Sequence, residues 1–341
     1  MRFQNVGIEA MAYSLPEDRI SSEDLEKNLS PLYQSLGLSI GRLELMTGIK
    51  ERRFWDSSFL PSSASAQAGL NLLNRGVDPN SVDLLIHSSV CRDRLEPATA
   101  SYVHRLMGLG NNVQILDVSN ACLGFINSLI LSASMIESGQ IQRAVIVAGE
   151  NGKPLVDRTI RSLNEGMHNR QSIKPFFANL TIGAAAVAWS ICHEDLLVSD
   201  APMLGIAVNE TDTSYSNLCE GDSEGDELIM QTDSEELLHA GISVAGRAWQ
   251  KFLTASKWKP DTPELICTHQ VGKAHTHAVF DSLELDTEKN YSTFEILGNC
   301  GSASLPITYT MACEENPELL TSRTVLLGIG SGLSSVMLSL N

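Results

Sequence analysis

The chain has 341 residues, 43% hydrophobic and 19% charged, an ordinary globular composition that can bury a sizeable core as one large α/β unit or two medium domains. A formal net charge of -17 leaves no basic excess for a phosphate backbone and argues against general nucleic-acid binding. Seven cysteines without a CxxC pair, a start that lacks the apolar core of a signal peptide, and no apolar run of the roughly 18 to 20 residues that span a bilayer point to a reduced, cytoplasmic enzyme.

In chain order, Val6 to Tyr13 reads as a first strand, and Ser21-Ser-Glu-Asp-Leu25 as a helix start. Thr47-Gly-Ile-Lys-Glu-Arg-Arg53 is a compact basic loop in an acidic protein. Its plain reading is a solvated face, and its charge contrast also suits a phosphate-contacting edge through Lys50, Arg52 and Arg53. Ser63 to Leu73 is a helix ended by Asn74-Arg-Gly76, and Val82 to Ser88 is the kind of apolar strand found inside parallel sheets. Arg92-Asp-Arg-Leu-Glu-Pro-Ala-Thr99 follows, with Pro97 expected just inside a helix start.

Asp117-Val-Ser-Asn-Ala-Cys-Leu-Gly-Phe125 then sets a single cysteine between a short buried strand, Val113 to Val118, and a small-residue helix from Phe125 to Ile136 closed by Gly139. At a helix N-terminus the macrodipole and unpaired N–H groups favour a thiolate and offer donors to an oxyanion, so Cys122 is a candidate nucleophile with a lowered pKa. The simpler reading is a small buried hydrophobe. The strand Ala144 to Ala148, a long polar segment ending near Pro175 and a strand from Thr181 to Trp189 complete this half, and an acidic, serine-rich insertion from Asp212 to Asp233 follows.

The remainder resembles the first half. Glu264 to Thr268 matches Val82 to Ser88, the helix after Asn299-Cys300-Gly301 matches the Cys122 helix, and Val325 to Ile329 matches Ala144 to Ala148. From first strand to small-residue helix is about 40 residues in one half and about 36 in the other, a coarse internal repeat of two α/β halves, residues 1–190 and 191–341. A site between halves would draw on both: His269 as base or oxyanion donor, Asn299 as a second donor. Singly, His269 reads as a core histidine and Asn299 as a helix cap. Gly328-Ile-Gly-Ser-Gly332 lacks the helix and ribose-binding acid of a dinucleotide site, and His275-x-His277 has no third ligand for zinc.

Taken together, Thr47 to Arg53, Asn120-Ala-Cys-Leu-Gly124, Thr268-His-Gln-Val271, Gly298-Asn-Cys-Gly-Ser-Ala-Ser304 and Gly328 to Gly332 resemble, over nearly the whole chain, the thiolase-fold condensing enzymes of the β-ketoacyl synthase III branch. The resemblance implies a layered αβαβα thiolase fold, Cys122 as acyl acceptor, His269 and Asn299 as the oxyanion pair of condensation, and the Cys122 N–H with Gly330, Ser331 and Gly332 around the acyl-enzyme oxyanion. Leu95-Glu-Pro-Ala-Thr99 is most similar to the OleA type of long-chain olefin biosynthesis, in which a glutamate, here Glu96, reaches into the dimer partner's active site as the base. Gly272 and Ala274 stand where the fatty-acid-initiating synthases carry asparagine and arginine. Arg42 and Met46 stand where those synthases hold coenzyme A with a tryptophan and an arginine. The implied reaction joins two long-chain acyl-coenzyme A molecules without decarboxylation, in a homodimer, with no metal and no cofactor beyond the thioester substrates, and with downstream olefin-pathway enzymes as partners. The alternative is a 3-oxoacyl-ACP synthase III that decarboxylates malonyl-ACP, and a third reading is a non-catalytic thiolase-fold scaffold.

Overall fold

The computed structural model describes all residues except Ser199, Gly225, Asp226, Gln270 and Val271, together with the side chains outside residues 223–228. Two expected features therefore lie partly beyond the described residues: the last two positions of the Thr268 to Val271 run and the tip of the acidic insertion.

Two sheets carry the fold. In the first, strands run in the order Val6–Ser14, Ala184–His193, Arg143–Asn151, Leu84–His87, Gln114–Asp117. In the second they run Leu204–Thr211, Ser334–Leu340, Thr324–Gly330, Leu265–Thr268. Directions agree strand for strand: Leu84–His87 is parallel to Arg143–Asn151 as Leu265–Thr268 is to Thr324–Gly330, and the next two pairings are antiparallel in both. The counterpart of Gln114–Asp117 is reduced to an isolated bridge between Ile266 and Asn290.

Alternation along the strands explains the layering. Leu84, Ile86, Ile146 and Ala148 face a middle core shared with Leu326, whereas Leu85, Val145 and Val147 face an outer core, and Val325 and Leu327 a third. Both faces of each sheet are buried, which is why these strands read as unbroken apolar runs. The helices Gly124–Glu137 and Ser304–Glu315 fill the middle. Pro61–Leu73 and Thr99–Met107 cover one outer face, and Ser234–Ser256 with Lys273–Ser282 the other. This is the layered αβαβα arrangement of the thiolase fold. Trp189 ties the middle together: its Nε1 donates to Thr310 Oγ1 at 2.8 Å, and its ring meets Phe125 edge-on at 5.4 Å between centroids. Among the described residues no helix is long and apolar enough to cross a membrane.

Some local expectations are corrected. The polar segment before Pro175 is mostly a helix, Lys153–Glu165, because Val156, Thr159 and Leu163 share one buried stripe and Pro154 opens its first turn. Pro97 precedes rather than starts its helix, which begins at Thr99. Thr181 ends a short 3₁₀ segment, and the strand begins at Ala184. Gln114–Asp117 is half-exposed in the single chain because it lies at the sheet edge. The acidic insertion contains a hairpin, Cys219–Glu224 with Glu227–Thr232.

Candidate active site

The strand Gln114–Asp117 delivers the chain to a turn in which Ala121 has φ of 45°, a left-handed conformation that costs a non-glycine residue about 1 kcal/mol and is retained where the surroundings impose it. Cys122 follows, half-buried, and the helix starts two residues later. The expected lowering of its pKa does not hold. Burial first, then the nearby Glu150 carboxylate, push the thiol up to about 12. The first-turn donors are also less available than the sequence suggests. The N–H groups of Leu123 and Gly124 turn back to the carbonyls of Asn120 and Ala121, and that of Phe125 donates to Ser302 Oγ at 2.9 Å.

The second half closes over this turn through close contacts. A Cβ at Gly330 would lie 2.9 Å from Leu123 Cγ, and one at Gly328 2.5 Å from Leu123 Cδ2, so glycine lets the strand end Thr324–Gly330 reach the residue after Cys122. The backbone then turns at Ser331 and Gly332, the latter with φ of +76°. His269 leaves the neighbouring strand with its N–H bonded to Leu327 O at 2.9 Å. Its side chain is buried, and neither ring nitrogen has a partner among the described residues. Burial pushes its pKa down to about 4, so the ring is neutral at working pH. A buried imidazole with two open nitrogens is costly unless a bound molecule completes it.

Asn299 is fixed by its backbone, which donates to Thr181 O at 2.8 Å and accepts from Gly183 N at 3.0 Å. Its Oδ1 accepts from Gly301 N at 3.0 Å, which leaves the amide NH₂ as the group to be offered. The same turn carries Ser302, whose Oγ lies 3.3 Å from Ser88 Oγ at the end of the matching strand in the first half. Behind Cys122 a narrow apolar crevice runs between Phe125, Ile126, Leu129, Trp189, Leu305 and Leu326, with no room for a water molecule.

Glu150 was not singled out from the sequence, where it reads as a charge at the end of an apolar strand. It is 3% exposed and accepts from Val90 N at 2.8 Å, Cys91 N at 3.0 Å and Ser302 N at 2.9 Å. Burial raises its pKa against these three donors. Gly301, at φ of +52°, exists to admit it: a Cβ there would fall 2.7 Å from Glu150 Oε1. The only local hint was the small Gly149 before it.

The remaining candidates are dispersed. Glu96 is exposed in the single chain, beside Leu95 at 94% exposure. Lys50 is exposed and pairs with Glu295 at 3.4 Å. Arg52 is corrected: it is fully buried, donates to Ser22 Oγ and Leu180 O at 3.0 Å each, and is pushed down to about 10 by burial, so it braces the fold and cannot touch a substrate phosphate. Arg53 is half-buried and donates to Pro16 O at 2.9 Å.

The 3-oxoacyl-[acyl-carrier-protein] synthase III family model matches residues 116–189, and the model of that family's C-terminal part matches residues 253–340. An acyl-CoA:acyl-CoA alkyltransferase of Shewanella oneidensis is 33% identical over 100% of this chain and 99% of its own. A crystal structure of cerulenin-bound OleA from Xanthomonas campestris superposes with a TM-score of 0.94 at 33% identity, covering 100% of this chain and 98% of that one. A β-ketoacyl-[acyl-carrier-protein] synthase III of Chlorobium phaeobacteroides is 24% identical over 95% of each chain.

Proposed function

Because this chain belongs to the OleA-type branch of the thiolase-fold 3-oxoacyl synthase III family, we propose that it is an acyltransferase that condenses two long-chain acyl-coenzyme A molecules without decarboxylation to a 2-alkyl-3-oxoacyl thioester. The Cys122 thiol attacks the first thioester, the C–S bond to coenzyme A breaks, and coenzyme A leaves with the proton. The thiol is neutral at rest, so its proton departs as the attack proceeds and no standing thiolate is needed. The oxyanion of this step is met by the Cys122 N–H and the backbone of Gly330 to Gly332.

Condensation is the harder half. Glu96 of a partner subunit takes the α-proton of the second acyl-coenzyme A, and neutral His269 and the Asn299 amide donate to the enolate oxygen. The α-carbon then attacks the Cys122 thioester, a C–C bond forms, and the Cys122 sulfur leaves and is reprotonated. A neutral imidazole suits a donor role, since it offers a hydrogen bond at the moment charge develops without itself carrying charge in the resting site. The homodimer reading draws support from the half-exposed edge strand Gln114–Asp117 and from Leu95, an apolar side chain left uncovered beside Glu96. We assign the acyl acceptor to residues 1–190, the two donors to residues 191–341, and Lys50 to the coenzyme A phosphates.

The observation that carries this reading is the buried imidazole of His269, both of whose nitrogens lack a partner among the described residues. The test against the decarboxylating alternative supplies a long-chain acyl-coenzyme A as sole substrate. A β-keto acid or its ketone breakdown product is expected; product only when malonyl-ACP is added would overturn the proposal.

A further inference from the structure

The exposed stretch that carries Glu96 is held at both ends by carboxylates. At its start, Glu150 accepts from the N–H groups of Val90 and Cys91 at 2.8 and 3.0 Å. At its end, Asp117 accepts from Thr99 N at 2.7 Å and Ala100 N at 2.8 Å. The helix that starts at Thr99 has Ala98 at its N-cap, which has no side-chain acceptor, so a residue from the neighbouring strand supplies the cap. Behind Asp117 stands buried His87, with Nδ1 3.8 Å from Asp117 Oδ1. Between the two clamps, Asp93 Oδ1 accepts from Ser62 N at 2.9 Å and Asp93 N donates to Thr99 Oγ1 at 3.4 Å, while Arg92, Arg94, Leu95, Glu96 and Pro97 have no hydrogen bond to the other described residues. Such a short arm, fixed at both roots and at one interior point, presents its tip in one place relative to the sheet.

Both clamping carboxylates also belong to the Cys122 neighbourhood. Asp117 ends the strand that leads to Cys122, and the third acceptor contact of Glu150 is Ser302 N, in the turn that holds Asn299. We propose that Glu150 and Asp117 are positioning residues of the condensation step: together they set where the Glu96 arm projects, and Glu150 ties that arm to the Asn299 turn. This rests on the reading of Glu96 as the base. Because the arm belongs to the second half of the reaction, loosening it affects condensation and leaves first acylation of Cys122 intact. An asparagine at 117 keeps the size of the side chain but turns an amide NH₂ toward one of the two N–H donors, so one root of the arm is released.

The test compares Asp117→Asn, Glu96→Gln and the double variant in single-turnover acylation and in product formation. Asp117→Asn is expected to acylate Cys122 as wild type does and to lose condensation about 10- to 100-fold, the scale of a misplacement near 1 Å. In the double variant the loss should equal that of Glu96→Gln alone, since a misplaced arm costs nothing once its base is gone. Glu150→Gln should lose condensation and also respond less to Asn299→Ala. Equal loss of acylation and condensation, additive losses in the double variant, or unchanged condensation in Asp117→Asn would overturn the proposal. Failure of both Asp117→Asn and Glu150→Gln to give folded protein would overturn it too, by making the clamps folding elements. If Glu96→Gln itself condenses at the wild-type rate, the base assignment fails, and that result is read separately from the others.

Discussion

Cys122 and Cys300 stand at matching places in the two halves, each just ahead of a middle-layer helix, and yet their surroundings send them opposite ways. In the first half the left-handed residue, Ala121, precedes the cysteine. In the second it is Gly301, which follows the cysteine. Cys122 is half-buried against the crevice, whereas Cys300 is 1% exposed, with Sγ 3.4 Å from Leu297 O and its thiol pushed up by burial. The residue made available at the second turn is Asn299 instead. A duplicated frame thus presents a half-buried thiol in one half and a side-chain amide in the other, and the left-handed residue moves from one place before the cysteine to one place after it.

Replacing the cysteine tests that division most severely. Cys122→Ser should fold, form no stable acyl-enzyme and lose condensation on the order of 10⁴-fold or more, as removal of a nucleophile does. Mass spectrometry of wild-type protein incubated with acyl-coenzyme A should find one acyl group on the peptide containing Cys122; label on Cys300 would erase the distinction between the halves.

The donors of the second half come next. His269→Ala and Asn299→Ala should each slow condensation about 10²- to 10³-fold, the usual result of deleting an oxyanion donor, with the acylation burst retained. A comparable loss of the burst would mean that the second half serves both steps.

A mixed dimer sharpens the comparison across subunits. Glu96→Ala and Cys122→Ala homodimers should both be inactive, while heterodimers purified with two different tags should regain part of the activity, because one site in each then has both groups. No regain would assign Glu96 to its own subunit.

The smallest effect concerns the thiol. With its pKa raised to about 12, the thiolate fraction of Cys122 rises tenfold per pH unit below that value. Alkylation of Cys122 by iodoacetamide, followed by peptide mass spectrometry, should therefore climb through pH 7, 8 and 9 without levelling. A plateau near pH 8 would show that the helix terminus outweighs burial.

Much of this was legible in the chain itself. Buried strands announce themselves as apolar runs, the two small-residue helices by composition, and the repeat by spacing, so Cys122, His269 and Asn299 emerged as a set. What stayed hidden depends on partners distant in sequence. Arg52 sits in a run that looks solvated, and only contacts with Ser22 and Leu180 reveal it as interior. Glu150 reads as a strand-end charge until three backbone donors from two segments converge on it. The helix Lys153–Glu165 escaped because three buried positions in thirteen residues leave its composition polar. The Cys122 pKa was misjudged because burial outweighed a local dipole.

The crevice behind Cys122 leaves no room for a water molecule between Phe125, Leu129, Trp189 and Leu305, so an acyl tail seated there would have to part these side chains. Each methylene that takes their place leaves water for about 0.8 kcal/mol. The tail is therefore a wedge that builds its own seat. A chain long enough to hold the walls apart would cover its thioester, while a short one would leave the bond to solvent. On that reading chain length would set a hydrolytic clock: long acyl groups would wait on Cys122 for a second substrate, and short ones would be lost as free acids before it arrives.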